Sequence, residues 1–483
     1  MTVNATSEFN GKQVAVIGLA ATGLATARVL RDLGATVCIY DGKPETALAP
    51  ERLAAARGLG YGVTLALNDS PVDWERTDLV IPSPGVPRTA VPLVQALQRG
   101  VPILGEIVVA YRIARAPILA ITGTNGKTTT TALMGAICRE SGLTTAVAGN
   151  IAEDAGVRLP LIEAAAGTPE NGVIVAEISS FQLEWVSRFR PRVAAWLNIA
   201  NDHLDRHKDF DEYARAKVRL FAAQEAGDTA VINADDAEVV RYSQGIGAGE
   251  RWMFSVRDRV ANGTFLEGET LWAIRQGETA LPLMPRSEIP LPGIHNTANV
   301  LAASSMALAF GIGPEVIRRA VQKFPGVAHR LETVSTIDGV RYINNSMCTN
   351  PAAVAASLEA AGERPVVAIA GGKHKGGDLS QMISALHDRT RSVVLIGASA
   401  QEIGHALEQE TRRAGGGPGI AYAATLEKAV ECAASAALQG DTVMLIPGCA
   451  SFDMFTGFEH RGQVFRDAVL ALPGKKTREE SKV

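Results

Sequence analysis

Pro117-Ile118-Leu119-Ala120-Ile121-Thr122-Gly123-Thr124-Asn125-Gly126-Lys127-Thr128-Thr129 is the stretch that decides how the chain is read. Its apolar run, Pro117 to Thr122, is short and continuous, which predicts a strand buried on both faces. A glycine turn follows, and a helical pattern begins at Thr128. Gly126-Lys127-Thr128 is the ending of a P-loop. In such a loop backbone amides cradle phosphates, Lys127 neutralises their charge, and the Thr128 hydroxyl is placed to ligate Mg²⁺. The usual first glycine falls at Ile121, so the loop is a shortened variant that starts from Gly123. ATP or GTP is the implied substrate, and no Asn-Lys-x-Asp motif for guanine is present.

Downstream of this loop, strands are expected over 172–178, 193–199 and 229–233. Glu177 ends the first of them, where a carboxylate beside a P-loop is expected to hold Mg²⁺. Asn198-Ile199-Ala200-Asn201-Asp202-His203-Leu204-Asp205-Arg206-His207 follows the second and is dense in metal-ligand side chains. From spacing alone, His203 is as well explained by a structural role as by a ligand role. Residues 250–290, with Trp252, Phe254, Phe265 and Trp272 between Gly and Asn turns, predict short antiparallel strands added to a parallel sheet. A helix is expected over 296–310.

Upstream lies a second glycine turn, Gly18-Leu19-Ala20-Ala21-Thr22-Gly23, between the strand 13–18 and the helix 24–33. The strand 35–40 ends at Asp41. This is close to the dinucleotide fingerprint, in which helix N-terminal amides hold a pyrophosphate. Ala20 replaces the middle glycine, so the turn points to a nucleotide diphosphate and only weakly to NAD. A turn that merely packs helix on strand is the alternative. A further strand, 77–81, is broken by Ser83-Pro84-Gly85. After Val327 come the strands 341–344, 365–370, 392–396 and 441–446, and the charged end, GKKTREESKV, reads as a frayed tail.

Strands alternating with helices throughout predict an α/β chain with parallel sheets. Three blocks emerge: 1–106, a P-loop domain at 107–326, and 327–483. Lys+Arg 47 against Asp+Glu 51 gives a net charge of -4, with no basic excess for nucleic acid. No apolar stretch is long enough to span a membrane, and the N-terminus has no secretory pattern. The five cysteines have no metal-ligand spacing, which fits free thiols in a reducing compartment. A cytoplasmic, monomeric enzyme acting on small molecules is the expectation.

Taken in order, Gly123 to Thr129, Glu177-x-Ser179-Ser180-Phe181-Gln182-Leu183-Glu184, Asn201 to Asp205, Gly293-x-His295-Asn296 and His329-Arg330-Leu331-Glu332 resemble the Mur ligases of bacterial cell-wall synthesis. Ser179 to Leu183 and Cys449-Ala450-Ser451-Phe452-Asp453-Met454-Phe455 look like the branch that joins D-glutamate to UDP-N-acetylmuramoyl-L-alanine. The resemblance runs from residue 11 to about 470. It implies ATP-dependent amide formation through an acyl phosphate in peptidoglycan precursor synthesis. It also implies that the first and third blocks are Rossmann-like and that the three blocks take the UDP-sugar, ATP and the amino acid in turn.

Residue by residue, the resemblance makes Lys127, His203 and Lys217 catalytic. Thr128 and Glu177 would hold one Mg²⁺, and His203 and a CO₂-carbamylated Lys217 a second. Taken by itself, Lys217 reads as a surface lysine on an amphipathic helix. Gly123, Thr124, Asn125, Gly126, Lys127, Thr128, Thr129, Asn296, Asn299, Arg330 and Asn345 would contact ATP. Gly18, Leu19, Thr22, Gly23, Asp41, Gly85, Asn150, Ser179 and Gln182 would contact the UDP-sugar, and Thr349, Lys375, Ser451 and Phe458 the glutamate, with Lys373 competing for the Lys375 role. Where the family reads Asn-Asp-Ser-Lys-Ala-Thr-Asn, this chain has Asn344-Asn345-Ser346-Met347-Cys348-Thr349-Asn350. Asn345 would still accept a ribose hydrogen bond, and Met347 removes a positive charge. A related ligase using L-glutamate or another acidic amino acid is the alternative; an oxidoreductase built on the Gly18 turn and a regulatory P-loop ATPase explain fewer of the motifs.

Overall fold

The structure is a computed structural model that describes residues 8–150, 159–200, 206–362, 364–374, 376 and 378–477. Among these residues the strands form three sheets. The first contains β1 Gln13–Ile17, β2 Thr36–Tyr40, β3 Val63–Ala66 and β4 Leu79–Pro82, all parallel, in the order β3-β2-β1-β4. The second contains β5 Ile118–Thr122, β6 Thr145–Gly149, β7 Val173–Glu177, β8 Val193–Trp196, β9 Thr229–Asn233, β10 Glu250–Ser255, β11 Gly263–Glu267, β12 Thr270–Ile274 and β13 Leu281–Pro285. Its order is β13-β12-β11-β10-β9-β8-β5-β7-β6. The third contains β14 Glu332–Ile337, β15 Val340–Asn344, β16 Val366–Gly371, β17 Thr390–Ile396, β18 Gly419–Tyr422, β19 Thr442–Gly448 and β20 Lys476–Thr477, in the order β18-β17-β16-β19-β15-β14-β20.

The α/β reading holds, with two corrections. Residues 250–290 are not all antiparallel. β10 pairs parallel with β9 and β11 pairs parallel with β10, so antiparallel pairing begins only at β11–β12. The helix Ala237–Tyr242, capped by Asp236, provides the crossover that keeps β10 parallel. The C-terminal segment is also not wholly frayed, because Ile337 and Thr336 of β14 pair with Lys476 and Thr477.

Two compact units are present. Residues 1–289 and 295–324 form one, and residues 290–294 and 325–483 the other. In the first unit a single apolar core runs from β1 and its helix Ala21–Asp32 through the helices Glu106–Ile113 and Leu161–Gly167 into β5 and β7. The helix Glu106–Ile113 is buried on nearly all sides, as its apolar run Ile107-Val108-Val109-Ala110 requires. β5 is buried along its whole length because helices cover both faces of its sheet. In the second unit, β16 and β19 form the buried centre of the sheet. Cys138, Cys348 and Cys449 are buried free thiols, and Cys432 is exposed. Among the described residues no helix is long and apolar enough to cross a membrane.

Glu106 sits inside the first unit's core. Its Oε1 accepts the Ile162 amide at 2.7 Å, capping the helix Leu161–Gly167. Burial pushes this carboxyl well above the ordinary range, to about 7. The folded chain thus keeps a proton that the unfolded chain has released. This contribution to stability is complete below about pH 4.5 and is lost as pH rises through about 7. Glu106→Gln stays neutral, so it should gain on the parent by up to about 3 kcal/mol between about pH 5 and about pH 8. Denaturant melts at the two pH values measure this, and a constant difference would show that folding does not shift the Glu106 proton.

Candidate functional site

The P-loop leaves the carboxyl end of β5 and enters the helix Lys127–Glu140. Gly126 caps this helix in the left-handed conformation (φ 82°), and a Cβ there would collide with Asn299 Oδ1. No described side chain caps the helix, so its N-terminal amides and positive dipole end suit an anion. Asn198 braces the loop: its Oδ1 accepts from the Thr124 and Asn125 amides at 3.1 and 2.8 Å, and its Nδ2 donates to Asn125 O at 3.0 Å.

Two lysines converge on one carbonyl oxygen of this loop. Lys127 Nζ donates to Gly123 O at 2.9 Å and to Thr124 O at 2.7 Å. Lys217 Nζ donates to the same Gly123 O at 2.8 Å and lies 3.5 Å from Thr122 Oγ1. Lys217 is only 1% exposed, so the surface reading of this residue fails. The helix Phe210–Val218 turns it inward, over the ring of Tyr213 at 4.6 Å.

Beside them, Thr128 Oγ1 donates to Glu177 Oε2 at 2.8 Å, and Asn150 Nδ2 donates to Glu177 Oε1 at 3.2 Å. Glu177 pairs across the sheet with Ile121, which puts the end of β7 next to the loop. A hydroxyl and a carboxylate are hard oxygen donors of the kind Mg²⁺ takes. No group of three His, Cys, Asp or Glu side chains among the described residues could hold a metal; His203 lies outside those residues. Thr129 is buried on the helix behind the loop. Asn296 and Asn299 are buried and bonded to each other at 3.2 Å, and Thr130 Oγ1 donates to Asn299 Oδ1 at 3.3 Å. Both asparagines thus stand behind the P-loop.

On the same unit, Asp41 takes two backbone amides, from Leu19 at 2.8 Å and from Lys43 at 3.0 Å. Gly23 is required because a Cβ there would strike the carbonyl of Gly18. Thr22 O accepts from Thr26 Oγ1, and Ser83 Oγ donates to Gly18 O at 2.9 Å. Gln182 Oε1 accepts from the Ser179 amide and hydroxyl, both at 2.9 Å. Arg206, which motif reading passed over, joins these loops. It holds Glu184 in a two-pronged ion pair at 2.8 Å and donates to the carbonyls of Pro84, Gly85 and Val86. The loops around Ser83, Glu106, Gln182, Trp185 and Arg206 enclose a small cavity of about 10 Å³.

In the second unit, Arg461 is fully buried and does what sequence reading missed. Its Nε donates to Ser346 Oγ at 3.0 Å, Nη2 to Ser346 O at 2.9 Å and Nη1 to Cys449 O at 3.1 Å. Ser346 Oγ in turn donates to Phe458 O at 2.7 Å. The loops carrying Thr349, Ser451 and Phe458 are therefore tied together. Burial lowers the Arg461 pKa to about 10. Lys373 is exposed and pairs through its backbone with Ala450, while Lys375 lies outside the described residues. The Asn345 side chain faces inward: Nδ2 donates to Ser357 Oγ at 2.8 Å and Oδ1 accepts the Leu331 amide at 3.3 Å. Flanking Arg330, His329 (φ 61°) and Leu331 (φ 47°) are both left-handed, an unusual pair of non-glycine conformations.

Three segments match family descriptions in chain order. Residues 12–105 match the Mur ligase MurD-like N-terminal domain, 121–307 the Mur ligase middle domain, and 329–449 the Mur ligase glutamate ligase domain. The chain is 43% identical over 468 residues to UDP-N-acetylmuramoylalanine--D-glutamate ligase of Pelotomaculum thermopropionicum, covering 96% of this chain and 99% of that protein. It is 40% identical to the enzyme of that name from Koribacter versatilis, over 96% of this chain and 98% of the other. The fold is shared with the UDP-N-acetylmuramate-alanine ligase MurC of Thermotoga maritima, at 20% identity, TM-score 0.60 and coverage of 95% and 99%. With a P-loop, a buried lysine and three matching segments spread over almost its entire length, the chain belongs to the Mur ligase family.

Proposed function

We propose that the protein joins D-glutamate to UDP-N-acetylmuramoyl-L-alanine at the expense of ATP, in peptidoglycan precursor synthesis in the cytoplasm. The observation that carries the reading is the meeting of Lys127 and Lys217 on Gly123 O beside the Thr128–Glu177 pair. A simple ATPase P-loop has no need of the second, buried lysine. The full-length likeness to D-glutamate ligases supports the choice of substrates.

In this reading residues 1–106 take the UDP-sugar, 107–326 take ATP and 327–483 take the amino acid. The alanyl carboxylate attacks the γ-phosphorus, the bond to ADP breaks, and an acyl phosphate forms. The D-glutamate amine then attacks the acyl carbon, and phosphate leaves with the C–O bond electrons. Two anions must approach in the first step, so fixed positive charge is the main requirement. Lys127 and the helix N-terminus supply it, with Gly123 to Thr129 shaping the cradle. Mg²⁺ bound to Thr128 and Glu177, with a second ion on His203 and Lys217, would neutralise phosphate charge and draw electron density from the transferred group.

Lys217 as an ammonium is a poor neighbour for such an ion and for Lys127, since a buried cation and a half-buried one sharing one carbonyl oxygen repel. Reaction of its amine with CO₂ forms an N–C bond, releases a proton and leaves a carbamate with oxygen donors for Mg²⁺. Asn296, Asn299 and Arg330 are assigned to the ATP side. Gly18, Asp41, Gly85, Asn150 and Gln182 are assigned to the sugar nucleotide, and Thr349, Lys375, Ser451 and Phe458 to the glutamate.

Three expectations test the reading. Phosphate release from ATP should require UDP-N-acetylmuramoyl-L-alanine and proceed with D-glutamate; equal or faster turnover with L-glutamate would move the acceptor assignment to that isomer. Lys127→Ala should lower kcat by at least about 10²–10³ with the melting profile retained, and an active variant would remove the P-loop from the mechanism. Lys217→Ala should lose most activity and regain part of it with a small carboxylic acid in the buffer. Full activity without added acid would show that no carbamate is needed.

A further inference from the structure

Tyr213 is almost wholly buried on the inner face of the helix Phe210–Val218. Its hydroxyl is 3.0 Å from Thr124 Oγ1, within the P-loop. That threonine oxygen also accepts the Ala200 amide at 3.0 Å, so its position is set from two sides. One helical turn along from Tyr213, Lys217 places its Nζ 4.6 Å from the ring centroid. Against Tyr213 lies His207, at 5.3 Å between ring centroids. His207 Nε2 is 3.0 Å from Ser180 Oγ, and its ring is 5.9 Å from that of Phe181. One tyrosine therefore touches the P-loop, the buried lysine and, through His207, the Ser179–Gln182 turn. Packing alone would be satisfied by phenylalanine. A buried hydroxyl costs free energy unless it is bonded, and here it is bonded to the loop that begins the phosphate cradle.

We propose that Tyr213 is a positioning residue for nucleotide binding and phosphoryl transfer. Its hydroxyl fixes Thr124 in the P-loop, and its ring fixes the Lys217 terminus beside Gly123. The proposal rests on the reading of the P-loop as the ATP site. It separates two effects within one side chain. The hydroxyl acts on nucleotide affinity, and the ring acts on the placement of Lys217 and so on turnover.

The test is calorimetric titration of the full-length protein with ADP, alongside steady-state kinetics. Tyr213→Phe keeps the ring, so ADP binding should weaken about five-fold and KM for ATP should rise equally. KM for the UDP-sugar and the melting midpoint should stay near those of the parent. Tyr213→Leu should lower kcat further, by up to about 100-fold, because without the ring packed against it the Lys217 side chain no longer holds its terminus in place. Thr124→Val should weaken ADP binding by a similar factor, and adding Tyr213→Phe to it should cost little more, because both remove the same bond. A Tyr213→Phe protein that melts earlier but binds ADP as the parent does would overturn the proposal, as would fully additive effects in the double variant. A parent chain that binds no ADP would overturn the nucleotide reading itself and Tyr213's role with it.

Discussion

The structure depends on how the carbonyl oxygen of Gly123 is satisfied. Parallel strands end at one edge of a sheet, and the loops that leave them expose backbone oxygens where ligands bind. At Gly123 two lysine ammonium groups, from different helices, supply the missing donors. This draws the start of the helix Lys127–Glu140 and the end of the helix Phe210–Val218 to a single point. The arrangement concentrates positive charge beside the carboxylate of Glu177 and its Thr128 partner.

The same device recurs in several other loops. Arg206 donates to three consecutive carbonyls of the Pro84–Val86 loop while its fork holds Glu184. Arg219 takes the carbonyls of Leu183 and Glu184, both at 3.1 Å. In the second unit Arg461 takes those of Ser346 and Cys449. Guanidinium groups suit this task because their planar donors diverge and so bind several acceptors at once. A buried cation that saturates carbonyls also avoids the cost of an unpaired charge. In the Arg206 case a carboxylate completes the set. The neighbouring core carboxyl, Glu106, is held toward its protonated form by burial.

The segment Asn344 to Asn350, where the chain differs from the pattern its resemblance implies, is tied into the second unit. Asn345 bonds through its amide to Ser357 and Leu331 inside the second unit, so it braces the loop between β15 and the helix Pro351–Ala360. Cys348, beside it, is a buried thiol whose carbonyl accepts the Gly448 amide at 2.9 Å.

Sequence alone determined the central strands, the two glycine turns and the P-loop chemistry. A strand buried on both faces must be a continuous apolar run, and a phosphate cradle needs glycines and a lysine at fixed spacing. It missed β3, β6 and β18, which are edge strands, and β14, which has only the two-residue β20 on its outer side, because a strand with a solvated side carries no such run. It misjudged β10, since a strand's direction depends on its crossover and leaves little trace in its own residues. The roles of Asn198, Arg206, Tyr213 and Arg461 were likewise invisible, as each acts on backbone or side chains brought close only by folding. Lys217 is the sharpest instance. Its helix reads as an ordinary amphipathic one, and only the packing of that helix against the end of β5 decides that this lysine faces inward, onto the P-loop, where a charge has consequences.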